Sequence, residues 1–149
     1  MFRRTASIIV LFGAVGLLAA CGNSMQSTAQ APMTLRATLS SAQEVPPNPS
    51  AGTGTATMTF NQATKQLTWN VTYGGLTGPA TMAHFHGPAA PGANAGVALP
   101  IGAAGMASPA AGSATLNDAQ AADLLAGRWY INIHTAAHPG GEIRGQVMR

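Results

Sequence analysis

Hydrophobic and polar residues alternate along most of the chain beyond residue 34. Leu35, Ala37 and Leu39 alternate with polar residues, and the runs 55–60 and 67–73 follow the same pattern. A period of two predicts half-buried β-strands, and the polar segment between the last two runs predicts a hairpin turn. Further strands are predicted at about 81–86, 97–101, 112–116, 128–134 and 143–148, separated by segments rich in Gly and Pro.

One segment, at about residues 117–126, has helical signals instead. Asn117 followed three positions later by Gln120 predicts a capping box, and Gly127 is typical of the residue that follows a helix. Many short strands with a single short helix predict a mainly β domain. The expected architecture is an antiparallel β-sandwich or a Greek-key barrel.

The first 20 residues have the pattern of a secreted lipoprotein. Arg3 and Arg4 precede an apolar segment that ends in Leu-Ala-Ala before Cys21, the only cysteine of the chain. This ending resembles a bacterial lipobox, so we predict a signal peptide over 1–20, lipidation of Cys21, a flexible tether over 21–33 and one domain over 34–149. The alternative is an ordinary secretory signal peptide with a chance cysteine.

The charge of the chain first suggests a nucleic-acid partner, because its 149 residues have a net charge of +3 and an isoelectric point near 9.8. Cleavage before Cys21 removes Arg3 and Arg4, and the remaining basic residues are scattered. We therefore expect no nucleic-acid binding. The expected partner is a membrane, contacted through the lipid. The expected location is the cell envelope, and in a Gram-negative cell the outer membrane, facing the periplasm or the surface.

The four histidines fall in two places. His84 and His86 lie on one predicted strand with their side chains on the same face, about 7 Å apart, and His134 ends another predicted strand. Imidazoles on a rigid sheet suit Cu(II) or Zn(II), which predicts a metal site at these three residues. Weaker candidate ligands are His138, in the following turn, and Met82, which shares the face of His84 and His86. A thioether favours Cu(I).

The alternative is a purely structural or adhesive module whose histidines brace loops. Three charged residues have structural interpretations. Glu44, in a proline-rich turn, is expected to brace an arginine such as Arg144, and Glu142 with Arg144 shares a strand face suited to an ion pair. Hydrolytic catalysis is not expected, because no Ser or Cys has the setting of a nucleophile elbow and acidic partners are few.

Four stretches carry a family resemblance: Leu39–Pro47, Ala83–Ala89, Leu125–Thr135 and Pro139–Val147. Together and in this order they resemble the CHRD domain, a module repeated in chordin and found singly in many bacterial secreted proteins. The resemblance implies an extracellular β-rich module without established enzymatic activity. The residues that match positions of the family pattern are His84, His86, His134, Glu44, Glu142 and Arg144, whereas His138 stands where the residue type varies.

These observations predict a non-enzymatic, lipid-anchored envelope protein with a copper or zinc site. A remote alternative is a copper enzyme similar to Cu/Zn superoxide dismutase, which also places His-x-His on a β-barrel. Against it, the sequence has no disulfide cysteines and no evident Asp/His set for a second metal. Similarity of fold is in any case weak support for an enzymatic activity.

Overall fold

The computed structural model describes residues 31–102 and 106–149, and the fold over these residues is mainly β. The predicted signal peptide, Cys21 and most of the predicted tether lie outside the described residues. The elements in chain order are β1 Met33–Ser40, β2 Thr53–Asn61, β3 Gln66–Gly74, β4 Ala80–His86, β5 Val97–Gly102, β6 Ala110–Thr115, α1 Asp118–Leu125, β7 Tyr130–Thr135 and β8 Ile143–Gln146. A short 3-10 turn, Ser41–Gln43, follows β1.

The eight strands of the described residues belong to one antiparallel sheet in the order β5-β4-β7-β8-β1-β2-β3-β6. The two edge strands, β5 and β6, have Cα atoms within 8 Å of each other. The sheet therefore curls into a nearly closed barrel. This confirms the predicted antiparallel β-fold with one helix, as a single curled sheet in place of two stacked sheets.

The alternating apolar residues fill the inside of this barrel. Trp69 on β3 packs edge-on against Phe85 on β4 at a ring-centroid distance of 5.4 Å, and Phe85 contacts Trp129 at 5.7 Å. These rings join strands from distant positions in the sheet order. Other core side chains that are almost completely buried are Leu35, Leu39, Met58, Phe60, Leu67, Val71, Ile131, Ile133 and Ile143. Burying them supplies the main driving force for folding.

The helix α1 forms as the sequence predicts. The Asn117 side chain accepts from the Gln120 backbone N–H and the Gln120 side chain accepts from the Asn117 N–H, which completes the capping box. Gly127 has a φ of +69°, a left-handed conformation that glycine adopts without strain. Within the part of the chain that the structure describes, no helix has the length and apolar character needed to cross a bilayer.

Strand β7 is buried on both faces, and this positions the candidate site. Ile131 and Ile133 point into the barrel core, whereas Tyr130, Asn132 and His134 lie on the other face and are also buried. This second face is contacted by the segment 41–50, by the turn after β7, and by the segment 87–96, which we call the covering loop. Its residue Ala89 donates its backbone N–H to the Arg128 carbonyl at 2.8 Å. Polar side chains are therefore enclosed between sheet and loops.

Candidate metal centre

Three histidines converge on the covered face of β4 and β7. His84 and His86 come from β4 and His134 from β7, and one ring nitrogen from each lies within 4.8 Å of the others. The strand register produces this cluster, because His84 pairs with Asn132 and Met82 pairs with His134 on the neighbouring strand. The structure thus brings together the three histidines that the sequence singled out.

Two of the imidazoles are held by backbone carbonyls. His86 Nδ1 lies 3.0 Å from the Ala95 carbonyl oxygen, and His134 Nδ1 lies 3.0 Å from the Pro139 carbonyl oxygen. Since a carbonyl only accepts, each Nδ1 carries the hydrogen, and each Nε2 of the neutral ring has a lone pair that can accept a hydrogen bond or bind a metal. Metal-bound histidines have this arrangement, in which the second ring nitrogen donates to a carbonyl or carboxylate.

The remaining nitrogens of the cluster face one another. His84 Nδ1 lies 3.3 Å from His134 Nε2, and His86 Nε2 is buried without a hydrogen-bond partner among the described residues. A buried polar atom without a partner costs free energy, so an occupant that accepts its lone pair would stabilise the fold. A cation bound by the three imidazoles would be such an occupant.

The cluster must contract slightly to bind one ion. A metal holds imidazole nitrogens at about 2.0–2.1 Å, so two such nitrogens are at most about 4.2 Å apart. The separations here reach up to 4.8 Å. His84 is the ring best placed to move, because it is only half-buried and, among the described residues, hydrogen-bonds to His134 alone. The other two rings are anchored and define the position of the site.

Burial favours the neutral form of the three imidazoles. Desolvation lowers the pKa of His84, His86 and His134 below the ordinary value of histidine. For His86 the nearby imidazoles and Arg144 lower the pKa further, against the hydrogen bond to Ala95. The three rings are therefore neutral near pH 7, which is the form that coordinates metals.

The two weaker candidate ligands are not part of the cluster of three. Met82 lies opposite His134 in the strand register but its side chain is 43% exposed. His138 is half-buried in the turn after β7, where its backbone N–H donates to Thr135 Oγ1.

The structure corrects the expectation for Glu44. No ion pair joins it to Arg144 within residues 31–102 and 106–149. Glu44 Oε2 instead accepts weakly from Asn132 Nδ2 at 3.5 Å, and Oε1 is buried without a partner in this part of the chain. Desolvation raises the pKa of Glu44 to about 7, although the charge of Arg144 and the Asn132 contact both lower it.

The strand face that Glu142 and Arg144 share was expected to support cross-strand ion pairs, but neither residue forms one within the described residues. The Glu142 carboxylate accepts from Ser50 Oγ at 2.6 Å, from Thr135 Oγ1 at 2.5 Å, and from both the backbone N–H and the hydroxyl of Thr77 at 2.7 and 2.8 Å. Burial raises the pKa of Glu142, but these four donors outweigh it and hold the pKa at about 2. Glu142 is a charged brace between loops, fully enclosed by neutral donors.

Arg144 serves the covering loop. Its guanidinium donates to Asn94 Oδ1 at 2.8 Å and to the Ala93 carbonyl at 2.6 Å, and it stacks over the Tyr130 ring. Neither Tyr130 nor the covering loop was identified as part of the site from the sequence. The one available signal was the alternation of β7, which places Tyr130 on the face of His134.

Comparison with known proteins identifies the family. The model of the CHRD domain family matches residues 35–147, which is most of the chain and nearly all of its described part. The chain therefore belongs to the CHRD domain family, and the resemblance seen in the four stretches is confirmed. Comparisons with curated proteins and with solved structures gave no match.

Proposed function

We propose that this CHRD protein is a lipid-anchored, non-enzymatic envelope protein that binds one copper or zinc ion through His84, His86 and His134. Two observations carry the proposal: the buried His86 Nε2 has no hydrogen-bond partner in the described chain, and one ring nitrogen from each of the three histidines lies within 4.8 Å of the others. Neutral imidazole is a ligand that copper and zinc both prefer.

The number of ligands and the way they are held also support a metal site. Three protein ligands leave a coordination position open to water or another small ligand. Both anchored histidines donate Nδ1–H to carbonyls, which fixes the tautomer that a metal requires before any metal arrives. Such preorganisation favours a bound ion over a transient surface contact.

The anchoring part of the proposal is supported by the sequence alone. Arg3 and Arg4, the apolar segment and the small residues before Cys21 form the lipobox-like pattern. One lipid-modified cysteine at the start of a short polar tether would hold the domain at the membrane surface.

Labelling cells with palmitate should mark the wild-type protein and leave the Cys21→Ser variant unmarked. Equal labelling of both would exclude lipidation at this residue.

A direct test is the metal content of full-length protein purified from the membrane fraction of the cells that make it. We expect one equivalent of copper or zinc per chain in the wild type and none in a His84→Ala/His86→Ala variant. The His138→Ala variant is the matched control, because it removes a histidine outside the cluster and should retain the metal. Wild-type protein no richer in metal than the double variant would contradict the proposal.

A second candidate function is a structural or adhesive module, which the bonds from His86 to Ala95 and from His134 to Pro139 favour because each ties a loop to the sheet. It predicts that the double histidine variant melts several degrees lower than wild type and that added copper or zinc changes neither melt. The metal proposal predicts that the wild-type melt rises on addition of metal, since a ligand bound only by the folded state stabilises it.

A further inference from the structure

Tyr130 lies between the histidine cluster and the only buried arginine of the described chain. Its ring stacks on the His86 imidazole with a centroid distance of 4.9 Å and an angle of 7° between the planes. Arg144 comes from β8, which borders β7 on the side away from β4, and its guanidinium carbon lies 3.4 Å from the centroid of the tyrosine ring. A guanidinium, a phenol and an imidazole thus form a three-layer stack, and Arg144 is only 2% exposed.

The tyrosine hydroxyl and His86 share one loop residue. The Ala95 backbone N–H donates to Tyr130 Oη at 3.1 Å, and the Ala95 carbonyl oxygen lies 3.3 Å from the same hydroxyl. That carbonyl also accepts the Nδ1–H of His86. Tyr130 therefore contacts His86 through its ring and also helps to hold the group that sets the tautomer of His86.

Arg144 holds the loop from the opposite side. Its two donated hydrogen bonds end on Ala93 and Asn94, the residues directly before Ala95, and Asn94 Nδ2 in turn donates to the Val45 carbonyl at 3.0 Å. Charge-assisted bonds from a planar guanidinium are stronger and more directional than neutral ones. The position of the Ala95 carbonyl is therefore determined by contacts on both sides of the loop.

We propose that Tyr130 is a positioning residue of the histidine site, clamped by Arg144, and that it keeps His86 Nε2 directed at the metal position. This inference rests on the proposed function, because it assigns a role in metal binding. The stack prevents rotation of the His86 ring, and the shared Ala95 contact fixes which nitrogen is free. Neither residue coordinates the ion. Partners of this type change metal affinity by about 10–100-fold when they are replaced.

The test is copper binding by full-length Tyr130→Phe and Tyr130→Leu variants, measured by calorimetry and by electron paramagnetic resonance of the Cu(II)-loaded proteins. The phenylalanine variant retains the stack and loses the contact to Ala95, so we expect about tenfold weaker binding with three coordinated nitrogens. The leucine variant loses both, and we expect about 100-fold weaker binding with two coordinated nitrogens. A stepwise loss of Cu(II) affinity and a change in the number of nitrogens bound to Cu(II) would distinguish a positioning role from general destabilisation of the fold.

The matched control is Tyr73→Phe on β3, which also removes a tyrosine hydroxyl bonded to a backbone carbonyl, that of Met106 at 2.7 Å. It should bind Cu(II) as the wild type does. Unchanged affinity and three coordinated nitrogens in both Tyr130 variants would overturn the positioning role. If the wild type binds neither Cu(II) nor Zn(II), the proposed function fails; if it binds Zn(II) alone, the affinities of the variants are compared for Zn(II) instead. If the leucine variant does not fold, the test rests on the phenylalanine variant alone. A Tyr130→Phe protein that binds metal as tightly as the wild type would then contradict the positioning role.

Discussion

Replacing Glu142 with alanine is expected to lower the free energy of unfolding by about 2–4 kcal/mol, because several hydrogen bonds to one charged acceptor are lost and each such bond contributes about 1.5–3 kcal/mol. The carboxylate is fully buried and accepts four hydrogen bonds, from Ser50, Thr135 and Thr77. Its removal leaves the buried Thr135 hydroxyl and the less buried donors of Ser50 and Thr77 without this acceptor. It also opens a cavity between loops from three parts of the chain. Chemical denaturation near neutral pH measures the loss.

The control for Glu142 is Asp118→Ala, which removes a carboxylate that is 88% exposed and pairs with Lys65. An exposed pair contributes about 0–1 kcal/mol, so this variant should remain near wild-type stability. The pH dependence follows from the depressed pKa. The contribution of Glu142 is fully present above its ordinary pKa of 4.5 and is lost as the pH falls toward about 2. A Glu142→Ala protein as stable as the Asp118→Ala protein would show that Glu142 does not stabilise the fold by holding the loops together.

The ionised Glu44 carboxylate, unlike that of Glu142, is expected to destabilise the fold. The Glu44→Gln substitution should therefore stabilise the protein above neutral pH. Burial raises the pKa of Glu44 to about 7 from 4.5, which means that the folded state keeps a proton that the unfolded state has released. Folding stability therefore falls as the pH rises from about 4.5 through 7. Glutamine has a similar shape and no charge, so it should recover about 1–3 kcal/mol at pH 8.

The Glu44→Gln effect should disappear at pH 4, where the wild-type carboxyl is protonated in both states. Asn132 contributes to this pH dependence, because its Oδ1 is buried without a partner in the described chain. A glutamine amide or a protonated Glu44 carboxyl can donate to it, whereas the ionised carboxylate cannot. Denaturation curves at the two pH values decide the matter. A variant that is less stable than wild type at pH 8 would show that the charged carboxylate is favourable in the fold.

Much of the fold could be predicted because it depends on local patterns. A period of two specified the strands, and the register followed from burying one face of each, as in the pairing of Leu35 with Met58 and of Met58 with Trp69. The capping box of α1 is a contact over three residues and was equally visible. The convergence of His84, His86 and His134 needed only the faces of two strands and their proximity.

The partners of the charged residues could not be predicted in the same way. Glu142 accepts from Ser50 and Thr77, which are 92 and 65 positions away, and Arg144 binds the covering loop about 50 positions earlier. Such contacts depend on how irregular loops cross the sheet, and a period along the chain contains no information about them. Alternation places Glu142 and Arg144 on one face of the strand, and this suggested ion pairing at that face. In the structure, neutral donors from Ser50, Thr77 and Thr135 bind Glu142 instead.

Calorimetric titration of the detergent-purified mature protein with Cu(II) and with Zn(II) shows whether His84, His86 and His134 bind one transition metal. We expect one site per chain, with a dissociation constant below about 1 µM for at least one of the two metals. That site should be absent from the His84→Ala/His86→Ala variant and present in His138→Ala. Equal, weak binding by the wild type and the double variant would contradict the claim.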